Sequence, residues 1–312
     1  MNIQKPTKLI STLLLAILVS YGSMTLADYS RSYMDSHPMN YINTDGVEIA
    51  YQVLGPEDAE TAVLVMGLGA SHTVWGDDFV RGIIAAGYRV VLIDNRDTGE
   101  SIKYPEKDNP VLWWQLLKYR LGMNVSTTYQ LSDMAGDIID VMDALEIDQA
   151  HLIGASMGGM IAQEIAAEHP QRTQTLVSIM STTWAEHLPR PGRQSTDAIR
   201  SMADNEDKDA KRAEFMKKMG FHAAAIPRQV MAILRAGDRS EAVKTITTPT
   251  LVIHGRDDPL LTVEHGEHTA ELIRDSRLVI FEGMGHNMPD TVRPDILREI
   301  GKHLSSNPIA GL

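Results

Sequence analysis

Ala150-His151-Leu152-Ile153-Gly154-Ala155-Ser156-Met157-Gly158, continuing through Gly159 to Glu168, is the stretch whose reading decides the fold. Its first four residues form a short apolar run of the kind that makes a covered strand. From Met157 onward the pattern is helical and stops before Pro170, as a residue ahead of proline resists helical backbone. Between the two lies Gly154-Ala155-Ser156-Met157-Gly158, which fits G-x-S-x-G. The pattern alone is common; strand, sharp turn and helix around it give it meaning. In such a turn the serine projects from a strained backbone, and a side chain at either glycine would crowd it. The competing reading, an exposed serine in an ordinary glycine turn, does not account for that context.

Working outward, nearly continuous Val/Ile/Leu runs recur at 62–66, 89–94, 150–154, 175–180, 250–254 and 277–281. Runs of this sort suit parallel strands covered on both faces. Between them Leu131, Met134, Ile138, Val141, Met142 and Leu145 share one helical face. Near the start, Tyr41-Ile42-Asn43 and residues 47–54 flank Asp45-Gly46, a strong hairpin signal. Strand–helix alternation behind a hairpin predicts an α/β fold with a mostly parallel, doubly wound sheet. From 184 to 245 the rhythm breaks: there is no convincing strand, but helical pieces at 207–219, stopped by Gly220, and from Pro227 to near Gly237. Spaced Phe215, Met216, Met219, Met231, Ile233 and Leu234 favour packed helices over a disordered insertion. The expected organisation is a core of 41–183 and 246–312, a helical cap at 184–245 and a loose polar tail at 28–40.

The first 27 residues read as a leader. Lys5 and Lys8 precede an apolar run at 9–19, and Thr25-Leu26-Ala27 supplies small residues for cleavage. The run is broken by Ser20, Tyr21, Gly22 and Ser23, short of the roughly 20 apolar residues that a spanning helix needs. Export to a periplasm or the exterior is expected, without stable membrane insertion after cleavage; an uncleaved N-terminal anchor is the alternative. The net charge of −12 over 312 residues argues against nucleic acid or an anionic membrane surface as the main partner. The absence of cysteine excludes disulfides, thiolate metal sites and a cysteine nucleophile.

A serine hydroxyl is a poor nucleophile at neutral pH unless a base takes its proton and a carboxylate orients that base. Beyond the 250–254 strand stands Gly255-Arg256-Asp257-Asp258-Pro259, and beyond the 277–281 strand Glu282-Gly283-Met284-Gly285-His286. Both lie just past the carboxyl end of a strand, where α/β sheets gather their sites. Either aspartate could serve as the acid; the other would cap or brace the loop.

Over about residues 40–305 these motifs resemble the α/β-hydrolase superfamily. His254-Gly255-Arg256-Asp257-Asp258 is similar to the H-G-x-x-D of that family, which puts Asp258 at the acid position, and Gly283-Met284-Gly285-His286 matches its G-x-G-H ending. The resemblance implies the chain order serine, acid, histidine: Ser156, Asp258, His286. It also implies an oxyanion hole from two backbone N–H groups, Met157 and, in Met66-Gly67-Leu68-Gly69, Leu68. The family often has His where Met66 stands, so the loop should be braced differently. Asp94-Asn95-Arg96-Asp97-Thr98-Gly99-Glu100-Ser101 resembles a structural turn of the family, and with Val65-Met66-Gly67 it is similar to aclacinomycin methylesterase-like esterases.

The resulting expectation is a serine esterase acting on a small to medium hydrophobic ester or lactone, with no cofactor and no metal. Perhydrolases and carbon–carbon bond hydrolases share the triad, and a non-catalytic ligand-binding module is the reading from another class. Met66, Leu68, Met157, Met284 and Met288 suggest an apolar pocket. Trp75, Trp113 and Trp114 are candidates for an access channel; plain core or a surface patch is the alternative for Trp113 and Trp114. The pair His265 and His268 reads as a solvated helix face, His254 as a loop-shaping residue, and His72 as a turn residue with no catalytic part.

Overall fold

In the computed structural model the chain begins its sheet with the hairpin: β1 (Asn40–Thr44) and β2 (Val47–Leu54) pair antiparallel, Thr44 opposite Val47. Asp45 and Gly46 both have positive φ, at 54° and 84°, as the two-residue turn with the right twist demands. The structure describes residues 32–105, 111–203, 214, 216, 218 and 220–310. The leader reading (1–27) falls outside them, as does most of the helix expected at 207–219.

After the hairpin come β3 (Thr61–Val65), α1 (Asp77–Ala85), β4 (Arg89–Ile93), α2 (Leu112–Arg120), α3 (Leu131–Ala144), β5 (Ala150–Ala155), α4 (Met157–Glu168) and β6 (Thr173–Ile179). Then follow α5 (Arg193–Ala203), α6 (Ile226–Ala236), α7 (Ser240–Lys244), β7 (Thr250–Gly255), α8 (Val263–Leu272), β8 (Arg277–Phe281) and α9 (Arg293–Ser305). The eight strands form one sheet in the order β1-β2-β4-β3-β5-β6-β7-β8, parallel from β4 onward.

Alternation along the strands divides the core. Val63, Val65, Val91, Ile93 and Leu152 face one apolar cluster, built with α3 and α4; Ala62, Leu64, Val90, Leu92 and Ile153 face the other, built with α1 and α9. Covering both faces is why these strands are apolar throughout rather than alternating. Each fully buried Val, Leu or Ile contributes about 1.5–3 kcal/mol.

The order of the strands also fixes where a site can lie. From β3 the chain crosses to β4 on one side, yet the strand on the other side of β3 is β5. The connections therefore diverge between β3 and β5, and a crevice opens beyond their carboxyl ends.

Two expectations are corrected. The N-terminal segment is not loose from residue 32 on. The Asp77 carboxylate accepts hydrogen bonds from Ser32 Oγ (2.7 Å), Tyr33 N (2.5 Å) and Met34 N (3.1 Å), and Gln52 Nε2 donates to Met34 O and His37 O. Met34 is buried as a result. In the region read as cap, α7 packs on α4, with Val243 in the core, and Arg239 beside it is buried, donating to Met160 O (2.8 Å) and Gln163 Oε1 (3.0 Å). The end of that region thus belongs to the body of the molecule.

Candidate active site

Ser156 sits between β5 and α4 with φ 56° and ψ −121°, a conformation that a residue with a side chain adopts only when its surroundings force it. The forcing groups are identifiable. Ser156 N donates to Ile179 O (2.9 Å) and Ser181 Oγ donates to Ser156 O (2.8 Å), pinning the turn to β6 and the loop after it. A Cβ at Gly154 would lie 2.3 Å from Gly158 O, and one at Gly158 would lie 2.1 Å from Val65 O. Neither glycine can carry a side chain without opening the turn.

Two loops bring side chains to the serine. Ser156 Oγ donates to His286 Nε2 at 2.9 Å, and His286 Nδ1 donates to Asp258 Oδ2 at 2.7 Å. The other carboxylate oxygen, Oδ1, accepts from Leu260 N (2.8 Å) and Leu261 N (2.9 Å). Burial pushes the Asp258 carboxyl up, but the His286 ring, its hydrogen bond and the two N–H groups outweigh burial and hold it below the ordinary carboxylate range. Asp258 is therefore the group built to stay charged beneath the imidazole. Asp257 points elsewhere: its Oδ2 accepts from Gly283 N at 2.9 Å, which braces the loop carrying His286. His254 Nε2 donates to Leu261 O (2.7 Å) and so holds the Asp258 turn, in keeping with a loop-shaping part.

The loop after β3 approaches from the other side. Gly69 N and Ala70 N are taken, by Gln229 Oε1 (2.6 Å) and Gly67 O (3.2 Å). Leu68 N donates to no acceptor among the described residues. Met157 N opens α4, where a helix has no acceptor of its own one turn back. Both amides neighbour the serine: Met157 follows it in the chain, and Leu68 follows Gly67, where an added Cβ would lie 2.9 Å from Ser156 Cβ.

The bracing of the β3 loop was not evident from residue types alone. Asp94, fully buried, accepts through Oδ1 from His72 N (2.7 Å) and His72 Nδ1 (2.9 Å) and through Oδ2 from Glu100 N (2.9 Å). Asn95 Nδ2 donates to Met66 O at 2.8 Å. The cap adds two backbone bonds, Ser71 N to Gly220 O and His222 N to Gly69 O, both 2.6 Å, around a bridge between Ala70 and Phe221. Gln229 of α6 holds Gly69 N and also donates to Arg96 O (3.0 Å). Next to it Arg228 forms a buried two-pronged pair with Asp97, Nε to Oδ2 at 2.7 Å and Nη2 to Oδ1 at 2.9 Å. A glutamine at 229 carries no motif, so only the fold reveals its place.

Other expectations divide. Met66, Met157, Met284 and Met288 are buried in the two core clusters beneath the loops, and Leu68 is half-buried. Trp75 is core, stacked on Phe79 at 4.7 Å, whereas Trp113 and Trp114 are exposed on α2. The solvated-face reading of His265 is wrong. The ring is fully buried, bonded to Thr182 Oγ1 (2.7 Å) and Pro189 O (2.9 Å), because the loop after β6 folds over α8.

A family model described as "alpha/beta hydrolase fold" matches residues 63–195, the segment that holds the β3 loop and the Ser156 turn. The chain has the α/β-hydrolase fold. Over 85% of its length it is 25% identical to rhodomycin D methylesterase of Streptomyces sp. (strain C5), covering 98% of that protein. It is likewise 25% identical to 3-oxoadipate enol-lactonase 1 of Acinetobacter baylyi, over 79% of this chain and 89% of that one. Among solved structures it is similar to an esterase from Rhodococcus sp. ECU1013, with a TM-score of 0.65 at 25% identity, over 88% of this chain and all of the other.

Proposed function

We propose that this α/β hydrolase cleaves a carboxylic ester or lactone of a small to medium hydrophobic substrate through an acyl-enzyme on Ser156. The observation that carries the reading is the hydrogen-bonded relay of hydroxyl, imidazole and charged carboxylate. His286 Nε2 takes the hydroxyl proton as Ser156 Oγ attacks the ester carbonyl. The negative charge that develops on the carbonyl oxygen is met by the Leu68 and Met157 N–H groups, each such donor being worth about 3 kcal/mol of barrier. Asp258 keeps the imidazole in the tautomer with Nδ1 protonated and stabilises the cation it becomes. The tetrahedral adduct collapses, His286 passes its proton to the departing alkoxide, and the alcohol leaves. A water then repeats the sequence on the acyl-enzyme, releasing the acid and restoring Ser156.

The relatives named methylesterase and enol-lactonase support acyl–oxygen cleavage as the reaction class. Residues 220–229, hydrogen-bonded to the loop after β3, belong to the part that would select the acyl or alcohol group. The test is a panel of esters varied in acyl and alcohol length, run on the natural chain and on Ser156→Ala. Turnover that peaks at a definite chain length and falls by about 10⁶ in the variant is expected. Equal turnover in both proteins contradicts the proposal.

A further inference from the structure

Among the described residues, every exposed large hydrophobic side chain except Tyr41 falls between Val111 and Met123, on and around α2. Trp113 is 68% exposed, Leu121 65% and Val111 57%, and Trp114, Leu117 and Met123 are also exposed. Single exposed hydrophobics are ordinary, but a contiguous set is not.

The helix is amphipathic with its apolar side facing outward. At about 100° per residue, Trp113, Leu117, Leu121 and Trp114 span an arc of roughly 100°. Gln115 and Tyr119 lie opposite and hold the helix to the body. Gln115 is buried, its Oε1 accepting from Ser126 N (2.8 Å), and the Tyr119 hydroxyl accepts from Trp184 Nε1 (3.0 Å). The outward arc is therefore fixed by the seating of the inner face. Arg120 borders the arc on one side and Lys118 on the other, both positions from which a long cationic side chain can extend along an apolar surface. In a molecule of net charge −12, the run from Val111 to Ser132 contains Lys118 and Arg120 and no acid.

We propose that α2 is an interfacial anchor that seats this end of the molecule on a phospholipid bilayer bearing anionic headgroups. Tryptophan and leucine enter the boundary between headgroups and acyl chains, while the two cations meet the lipid charge, as surface-lying helices do. Charge decides the occupant. The acidic body as a whole is repelled by an anionic leaflet, whereas the acid-free stretch at 111–132, with its two cations, is attracted. A second copy of the chain would instead set Lys118 and Arg120 against themselves around a two-fold axis. The helix lies in the connection that leaves the carboxyl end of β4 and packs along α6, at the same end of the sheet as Ser156. The anchor does not depend on which bond the serine cleaves.

The experiment uses the full chain with vesicles of phosphatidylcholine alone and of equimolar phosphatidylcholine and phosphatidylglycerol, with and without brominated acyl chains. The chain has four tryptophans, at 75, 113, 114 and 184, and none in the N-terminal leader segment. Brominated anionic vesicles should quench much of the emission, and Trp113→Phe with Trp114→Phe should abolish the quenching. Lys118→Gln with Arg120→Gln should weaken binding to anionic vesicles about tenfold or more. Leu117→Asp with Leu121→Asp should remove quenching while the thermal transition stays unchanged. Three results overturn the proposal: emission that stays unquenched while the chain pellets with the vesicles; a double-aspartate variant quenched like the natural chain; and a lipid-free dimer that becomes monomeric in that variant, which assigns the patch to a second copy.

Discussion

At the scale of single residues, the two adjacent aspartates test whether geometry discriminates roles. Asp258 accepts from His286 and from two backbone amides, whereas Asp257 accepts from Gly283 N and never meets the imidazole. Asp258→Asn should lower kcat by about 10⁴, since the amide favours the wrong imidazole tautomer. Asp257→Asn keeps an oxygen that can accept from Gly283 N and should stay within about tenfold of the natural chain. Steady-state rates on one soluble ester decide it; the reverse ranking removes Asp258 from the relay. Ser156, Asp258 and His286 could be picked out in the sequence because each follows a strand end and occupies a motif position. The resemblance to H-G-x-x-D singled out Asp258 over Asp257; its physical ground is a hydrogen bond to a residue 28 positions away.

At the scale of elements, the cap helix α6 is part of how the β3 loop is held. Gln229 receives Gly69 N–H and donates to Arg96 O, tying the loop that presents Leu68 to the turn after β4. Gln229→Ala leaves a buried N–H without an acceptor and frees the neighbouring amide to shift. Since a misplacement of about 1 Å can cost a hundredfold, kcat should fall by up to about that factor with KM little changed. Steady-state kinetics check this, and a loss confined to KM would place Gln229 in substrate binding instead. The hairpin, strand and helix positions were legible because their signals are local: Asp45-Gly46 in the turn, apolar runs for covered strands, Pro227 and Gly237 at the two ends of α6. His265 was misread because its burial depends on Pro189, 76 residues distant. The pinned segment at 32–37 escaped for the same reason, its partner Asp77 lying beyond the hairpin.

At the scale of the whole molecule, the buried His151, His254 and His265 and the half-buried His303 should weaken the fold in acid. Burial lowers His151 despite Glu60, and lowers His254, His265 and His303, the last to about 4. Unfolded, such rings protonate near pH 6.5. Between the folded and unfolded values the unfolded chain binds more protons. Their contribution is therefore complete above about pH 6.5 and is lost as pH falls toward the folded values. The urea midpoint should drop from pH 7.5 to pH 5, and His303→Gln should lessen the drop; a midpoint that rises on acidification contradicts this. Asp258, held below the usual carboxylate range, weakens the fold only at lower pH still. The core, the divergence of connections between β3 and β5, and the cap stitched to the β3 loop all converge on one serine. The most direct measurement is therefore acid quenching of the enzyme within its first turnovers of a slowly hydrolysed ester, followed by peptide mass analysis. The account predicts one added acyl mass on the peptide containing Ser156, absent in Ser156→Ala. Full turnover with no acyl mass on that peptide, or with the mass on another residue, would contradict it.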